Sequence, residues 1–408
     1  MRLGSLFTGI GAPEQGALRV YKNVENVFAC EFDKYARQSF EANYDIAPEH
    51  FHVDINDMDG KQYQGKVDVI VGGSPCQAFS IAGLKKGLSD KRGQLIWQYY
   101  RIIKEAQPPI FIYENVKGMV SDNNGQTLKD FLEVFRDIGY NCHYEVVNTK
   151  DYGVPQNRER VYIVGFKDAD LYHRFSFAPK VPLTKRLKDV LEDDVDEKYY
   201  LSEKAIKGFI THTQRMKERG NGFKFEPTDG DVVASSITTR AGGRPDDNFV
   251  KVAGMLDNKA HDSARRVYEV NGICSTITAV QGGGHEPKIA IGAIRGRNPE
   301  NPKSRVSGLP TEQMLEINEN GTSNCLTTVQ KNNVVVEPYR IRKLTPRECL
   351  RLQDFHDAFK QVVSNSQMYK QAGNSMSVNI LEMIFIQIEK AKSAEPTGSL
   401  FDFMEDVS

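Results

Sequence analysis

The chain of 408 residues is 39% hydrophobic and 26% charged, room for one large domain or two to three smaller ones at about 150 residues each. Its 53 Lys and Arg offset 54 Asp and Glu to a net charge of −1, so whole-chain charge points to no polyanionic partner. The six cysteines (Cys30, Cys76, Cys142, Cys274, Cys325 and Cys349) form no CxxC pair, which argues against a disulfide framework or a structural zinc site, and no metal is expected.

Residues 1–166 alternate strands with helical stretches. Residues 3–7 read as a short apolar strand, followed by Thr8-Gly9-Ile10-Gly11 and by Pro13 near a helix start. Residues 24–29 form a second strand ending in Cys30-Glu31, with Asp33 placed to cap the next helix. Val67-Asp68-Val69-Ile70-Val71 stops at Gly72-Gly73, and Ile110-Phe111-Ile112-Tyr113 stops at Glu114-Asn115. Residues 161–166 add a late strand. This alternation implies βαβ units and an α/β fold with a parallel sheet.

From about residue 180 to 338 the chain is rich in Gly, Asn, Thr and Arg, with short strands and little helical periodicity. A degenerate repeat runs through it. Ser236-Ile237-Thr238-Thr239 lies 40 residues before Thr276-Ile277-Thr278-Ala279, and Cys325-Leu326-Thr327-Thr328 follows 49 residues later. Each copy is trailed by an apolar run, at 249–250, 289–291 and 334–336. The pattern reads either as a strand–turn unit of a small β-rich domain or as hydroxyls and glycines approaching a nucleic-acid backbone. Residues 200–350 carry 22 basic against 17 acidic side chains, net +5 in an otherwise acidic chain, a footprint expected of a segment touching phosphates. Thr345-Pro346-Arg347-Glu348 then forms a capping box, residues 380–388 a final amphipathic helix, and the tail from 391 is expected to fray. No apolar run reaches the roughly 18 residues of a membrane span. MRLGSLFTGIG lacks the apolar core of a signal peptide, so a soluble, cytoplasmic chain is expected.

The chemistry-bearing residues fall at strand ends. Gly9 and Gly11 let the backbone pass close to a ligand. A dinucleotide fingerprint would need glycine where Glu14 stands, and a carboxylate facing a pyrophosphate would repel it. Glu31 and Asp54, at successive strand ends, suit an uncharged nucleoside. Gly72-Gly73-Ser74-Pro75-Cys76-Gln77 places a thiol just past a buried strand. A lone cysteine is commonly an inert small hydrophobe, but this loop position and its polar neighbours favour a reactive one. Glu114 ends another strand, where burial could raise its pKa and make it a proton donor. Gln156, Arg158 and Arg160 alternate, so they would share one face and two guanidiniums could clamp an anion or a base carbonyl.

Taken in order, FTGIG, PCQ, ENV, QNRER, RKLTPREC and QAGNS resemble the motifs of the cytosine-C5 DNA methyltransferase family of bacterial or phage type. Two departures are Ser5, where many members have an acidic residue, and Ser74, where Phe is common. The resemblance implies a Rossmann-like class I methyltransferase sheet with helices on both faces and a smaller β-rich target-recognition domain. It divides the chain into a catalytic, S-adenosylmethionine-binding domain (1–180), a target-recognition domain (181–338), a hinge and support (339–365), a C-terminal helix returning to the catalytic domain (366–392) and a flexible tail (393–408).

It also implies roles. Cys76 would add to C6 of a flipped-out cytosine in double-stranded DNA, Glu114 would engage N3 and N4, Arg160 would hold O2 and Arg158 would brace the loop or a phosphate. Phe7, Gly9, Ile10, Gly11, Glu31, Phe32, Asp54, Ile55, Pro75, Leu95, Asn374 and Ser375 would contact S-adenosylmethionine, leaving S-adenosylhomocysteine as product. Gln77, Ser80, Arg240, Arg244, Arg295 and Arg297 are candidate DNA contacts. The implied setting is a monomer at the bacterial nucleoid, in restriction-modification or defence, with a restriction endonuclease or defence proteins as partners. Other readings are the transfer-RNA-acting branch of the same chemistry, a nicotinamide-dependent oxidoreductase, and a catalytically silent DNA-binding module. Glu14 and the PCQ loop count against the oxidoreductase.

Overall fold

The computed structural model describes residues 1–75, 94–219, 227, 232–237, 239, 248–253, 290–297, 312–317, 334–336 and 339–394. Contacts divide the chain into two compact units: Met1–Val190 with Asp231–Gly243 and Pro346–Ser408, and Leu191–Gly230 with Arg244–Thr345.

The first unit holds a seven-stranded sheet. Its strands are β1 (Arg2–Leu6), β2 (Glu25–Cys30), β3 (Phe51–His52), β4 (Val69–Gly72), β5 (Ile110–Val116), β6 (Asn141–Asn148) and β8 (Glu159–Phe166), in the order β3-β2-β1-β4-β5-β8-β6. β1 to β5 pair in parallel, while β8 runs antiparallel to both β5 and β6. The order reverses between β1 and β4, the switch point at which open α/β sheets bind ligands beyond their strand ends. Two differences from the sequence reading matter. β6, with its mixed NCHYEVVN, carries no clean alternation and was not anticipated. β5 continues through Glu114 and Asn115 to Val116, because β8 supplies a partner as far as Arg160.

One sheet face is covered by α3 (Gln94–Ala106) and α5 (Gln126–Asp137), whose Tyr99, Ile102, Phe131 and Phe135 bury against Phe28, Ile70, Phe111 and Ile163. Gly165 permits this: a Cβ there would lie 2.1 Å from the Phe111 ring. On the other side, α1 (Ala12–Val20) packs on the last helix, α10 (Val378–Ser393), where Gly16 meets Leu381. Tyr21 stacks edge-on with Phe385 and donates to Glu389 at 2.8 Å. The unit is thus closed by both ends of the chain.

The C-terminal segment is not one helix. α8 (Pro346–Leu352) starts where the capping box predicts, although Thr345 Oγ1 donates instead to Glu192. α9 (Asn365–Asn374) and α10 are separated by an extended turn, because Ser377 is drawn off to bond Gln353 and Thr149. Contacts group the chain differently from the division at 180, 338 and 365 that the resemblance implies. Residues 346 onward group with the first unit, and so does 231–243, because β9 (Ala234–Ser235) pairs with β7 (Gln156–Asn157).

The second unit contains α7 (Glu203–Glu218), an antiparallel pair of β10 (Phe249–Ala253) with β14 (Tyr339–Lys343), and a three-stranded sheet in which β11 (Ala290–Arg297) lies between β12 (Glu312–Ile317) and β13 (Val334–Val336). The apolar runs that trail the repeat fall in β10, β11 and β13, and the last two pair with each other. Most of the Thr- and Gly-bearing repeat itself lies outside the described residues. Among the described residues no helix is long and apolar enough to cross a membrane.

Candidate active site

Strand register builds the site. Leu6 pairs with Cys30 on one side and Gly72 on the other, and Gly72 pairs with Tyr113. The next residue of each strand, Phe7, Glu31, Gly73 and Glu114, therefore emerges along one edge. A cavity of about 720 Å³ opens there, lined by all four.

At one end, Phe7 and Gly9 turn the chain with φ of 54° and 59°. Gly9 N–H donates to Glu31 Oε2 at 2.9 Å and Asp33 N–H to Glu31 Oε1 at 2.8 Å. Burial raises the Glu31 pKa, and these two backbone bonds pull it back. Its remaining lone pairs are free for further donors. Phe32 presents an apolar face, 75% exposed, to the cavity. Asp54 accepts from Asn56 N–H at 2.9 Å and begins a tight turn two residues past β3. Lys370 of α9 reaches across to Asp33 at 2.5 Å, and both line the cavity.

At the other end, Tyr113 hydroxyl bonds Ser74 Oγ at 2.7 Å and accepts from Asn115 Nδ2 at 2.8 Å, tying the loop up to Pro75 against β5. Ser74 is thus a loop anchor rather than a gap. Glu114 Oε1 lies 3.1 Å from Arg160 Nε, with the side chains only 13% and 21% exposed. The two stand diagonally across the β5–β8 ladder, within reach of long side chains. Desolvation raises the Glu114 pKa, against the pull of Arg160 and Arg158. Arg158 is buried, and desolvation followed by repulsion from Arg160 brings its pKa down to about 10. Its Nη2 donates to Ser375 O at 2.8 Å and Gly373 O at 3.3 Å, while Nε and Nη1 have no partner among the described residues. Arg158 lines the same cavity.

Phe7, Gly9, Glu31, Phe32, Asp54, Ile55, Pro75, Leu95, Glu114, Arg158, Arg160 and Asn374 all meet at this cavity. Ile10, Gly11 and Ser375 do not line it. Ile10 is fully buried, Gly11 closes on the Tyr44 ring, where a Cβ would sit 2.1 Å away, and Ser375 acts through its carbonyl on Arg158. Gln156 does not share the arginines' face. The chain breaks between β7 and β8, and its amide is buried between Leu352 O and Ile237 N–H. Glu14 does not face the cavity either; it is buried behind β1, so it repels nothing there. Asn115 and Gln371 also line the cavity, within the ENV and QAGNS motifs but given no role there, and Lys370, one residue before QAGNS, joins them, its signal being its helical spacing from Asn374. Cys76, Gln77, Ser80, Arg240 and Arg244 lie outside the described residues, as do the side chains of Arg295 and Arg297 on β11. Among the described residues no cluster of His, Cys, Asp and Glu could hold a metal ion.

A parallel sheet with one antiparallel strand, a glycine turn after β1 and an acidic residue after β2 define the class I methyltransferase fold. Solved structures agree. The methyltransferase EhMeth of Entamoeba histolytica matches with a TM-score of 0.61 over 97% of this chain and 99% of its own, at 14% identity. The Dnmt2 methyltransferase of S. pombe matches at 0.59 over 97% and 99%, at 16% identity. The model of the C-5 cytosine-specific DNA methylase family matches residues 1–390, and the chain belongs to that family. It is 34% identical to the orphan methyltransferase M.SPRI of Bacillus phage SPR, over 95% of this chain and 97% of that one. It is 32% identical to the type II methyltransferase M.HpaII of Haemophilus parainfluenzae, over 97% and 90%.

Proposed function

We propose that the chain transfers the methyl group of S-adenosylmethionine to C5 of a flipped-out cytosine in a specific double-stranded DNA sequence, through a covalent bond between Cys76 and C6. The observation that carries this is the buried Glu114–Arg160 pair, with Arg158 beside it, in the same cavity as Glu31 and directly beyond the anchored loop that leads into Cys76.

The residues present fit the donor. Phe32 offers a flat apolar face, Glu31 and Asp54 offer acceptors at strand ends, and the cavity is of the size that small-molecule sites take. Glu31 would hold the ribose, Phe32 and Asp54 the adenine, and Asn374 the opposite wall. When bound, S-adenosylmethionine supplies an electrophilic methyl group.

The chain's own residues supply the rest. Cytosine C5 is a weak nucleophile until the Cys76 thiolate adds at C6, which pushes an electron pair toward C5. Glu114, held toward its neutral form by burial, donates its proton to N3 and neutralises the charge that addition would leave on the ring. Arg160 would hold the base oxygen O2, a role its pairing with Glu114 at the same cavity supports. Loss of the C5 proton to a base then re-forms the 5,6 double bond and expels the thiolate, and N3 returns its proton to Glu114. The type II relative supports a restriction-modification role for that chemistry; a host/phage defence role at the nucleoid is the alternative setting.

The test is cytosine-conversion sequencing of plasmid DNA from cells expressing the wild type or Cys76→Ala. Protected cytosines within one short motif, seen only with the wild type, are expected. An unprotected plasmid from a folded wild type that binds S-adenosylhomocysteine would overturn the DNA substrate and direct the assay to transfer RNA.

A further inference from the structure

The first turn of α1 carries an acid that the reaction leaves unused. Glu14 is 1% exposed, and among the described residues no cation pairs with it. Beside its own backbone N–H, two hydroxyls hold it: Ser5 Oγ donates to Oε1 at 2.5 Å and Thr8 Oγ1 donates to Oε2 at 3.1 Å. Both hydroxyls are themselves buried. Between Ser5 and Thr8 lies Phe7, a non-glycine residue at φ 54°, a conformation that persists only where its surroundings over-determine it. One carboxylate therefore pins both flanks of the strained residue from behind. On the cavity side the same turn presents Phe7 and the Gly9 N–H that holds Glu31. Burying an acid without a cation is costly, and helix stability alone would be served as well by an exposed acid at this position.

We propose that Glu14 is a positioning residue for the methyl donor, fixing the Phe7–Gly9 turn and, through Gly9, the Glu31 carboxylate, without touching the donor itself. The inference rests on the assignment of this end of the cavity to S-adenosylmethionine. It predicts a selective defect. Glu14→Ala raises the Kd for S-adenosylhomocysteine about tenfold, the loss expected when bonds to a charged group are removed, and raises donor KM with kcat held. Affinity for duplex DNA is unchanged. Glu14→Gln, which can accept from one hydroxyl and donate to the other, restores most of the donor affinity. Ser5→Ala and Thr8→Val each weaken donor binding, but add nothing further in the Glu14→Ala background.

Titration calorimetry with S-adenosylhomocysteine on the full chain, beside a gel shift on duplex DNA, reads all of these. Donor affinity untouched in Glu14→Ala, or donor and DNA affinity lost together, overturns the proposal; so does additive loss in the combined variants. If Glu14→Ala does not fold, the single Ser5→Ala and Thr8→Val proteins carry the same test, and unchanged donor affinity in both overturns it. A wild type that itself fails to bind S-adenosylhomocysteine overturns the donor assignment instead.

Discussion

Glu114 and Arg160 show how burial sets chemistry at a single residue. The guanidinium alone would hold the carboxyl low, yet desolvation outweighs it and the net direction is upward. Glu114→Gln keeps the shape but has no acidic proton to give. Methyl transfer is expected to fall at least about a hundredfold, the lower range for loss of a general acid, while S-adenosylhomocysteine binds as before. Single-turnover transfer of labelled methyl groups checks this, and near-normal turnover would remove Glu114 from the proton's path. Glu14 makes a separate prediction about stability. Burial lifts its pKa from 4.5 to about 7, opposed by its bonds to Ser5, to its own backbone N–H and to Thr8. Tyr44, whose ring closes on Gly11, feels its charge, and Arg19, further along α1, is occupied by Asp354 and Glu382. Between those two pH values the folded chain keeps the proton and the unfolded chain releases it, so stability falls as pH rises through the window. At about 1.4 kcal/mol per pH unit the loss is about 3 kcal/mol, complete above pH 7. Glu14→Gln abolishes this dependence, so urea midpoints of variant and wild type should draw apart in the variant's favour between pH 5 and pH 8. A constant difference would count against it.

Among elements, the contact between α1 and α10 decides whether the chain's two ends form one unit. Gly16 sits inside α1, where alanine would ordinarily favour the helix by about 1 kcal/mol. Here an added Cβ would stand 2.9 Å from Leu381 Cβ and 3.3 Å from the backbone nitrogen of Glu382, neither of which can swing aside. Overpacking of about 1–3 kcal/mol outweighs the propensity. Gly16→Ala should therefore lower Tm, and a raised Tm would show that the helices can part at no cost. The element-scale pattern was partly legible beforehand. Runs such as Val69-Ile70-Val71 are β-branched and bounded by glycine, so their strands announce themselves. β6 and the last turn of β5 do not, because their pairing depends on β8 and not on their own composition.

For the whole molecule, the catalytic unit is assembled from segments more than 200 residues apart in sequence. Arg158 Nη2 is held by the carbonyls of Gly373 and Ser375, and Gln353 holds Ser377 and the Val378 N–H. Ending the chain at residue 345 would leave Arg158 buried without its acceptors and strip the cover from α1. Such a protein should lose cooperative unfolding and bind no S-adenosylhomocysteine; a folded, donor-binding fragment would mean that the last helices are accessory. DNA affinity belongs to this scale too. If phosphates are engaged by the mildly basic segment of residues 200–350, log K should fall linearly with log salt concentration, and a flat dependence between low and moderate salt would argue against a groove-spanning complex.

The amino-acid sequence by itself determined the β-branched strands, the turns that follow them and the residues at their ends. These follow from local properties: β-branched runs, glycines in tight turns, Asp33 capping its helix and Pro13 just inside another. It also carried the family, because its motifs are short and contiguous. Which of those residues face one another was left to the tertiary structure. Register alone aligns Phe7, Glu31, Gly73 and Glu114 on one edge, sends Gln156 away from the two arginines, and turns Glu14 from a repelling charge into a buried anchor. The physical reason is that burial and strand pairing depend on partners far along the chain, so the environment that sets a side chain's charge and direction exists only once the sheet has formed.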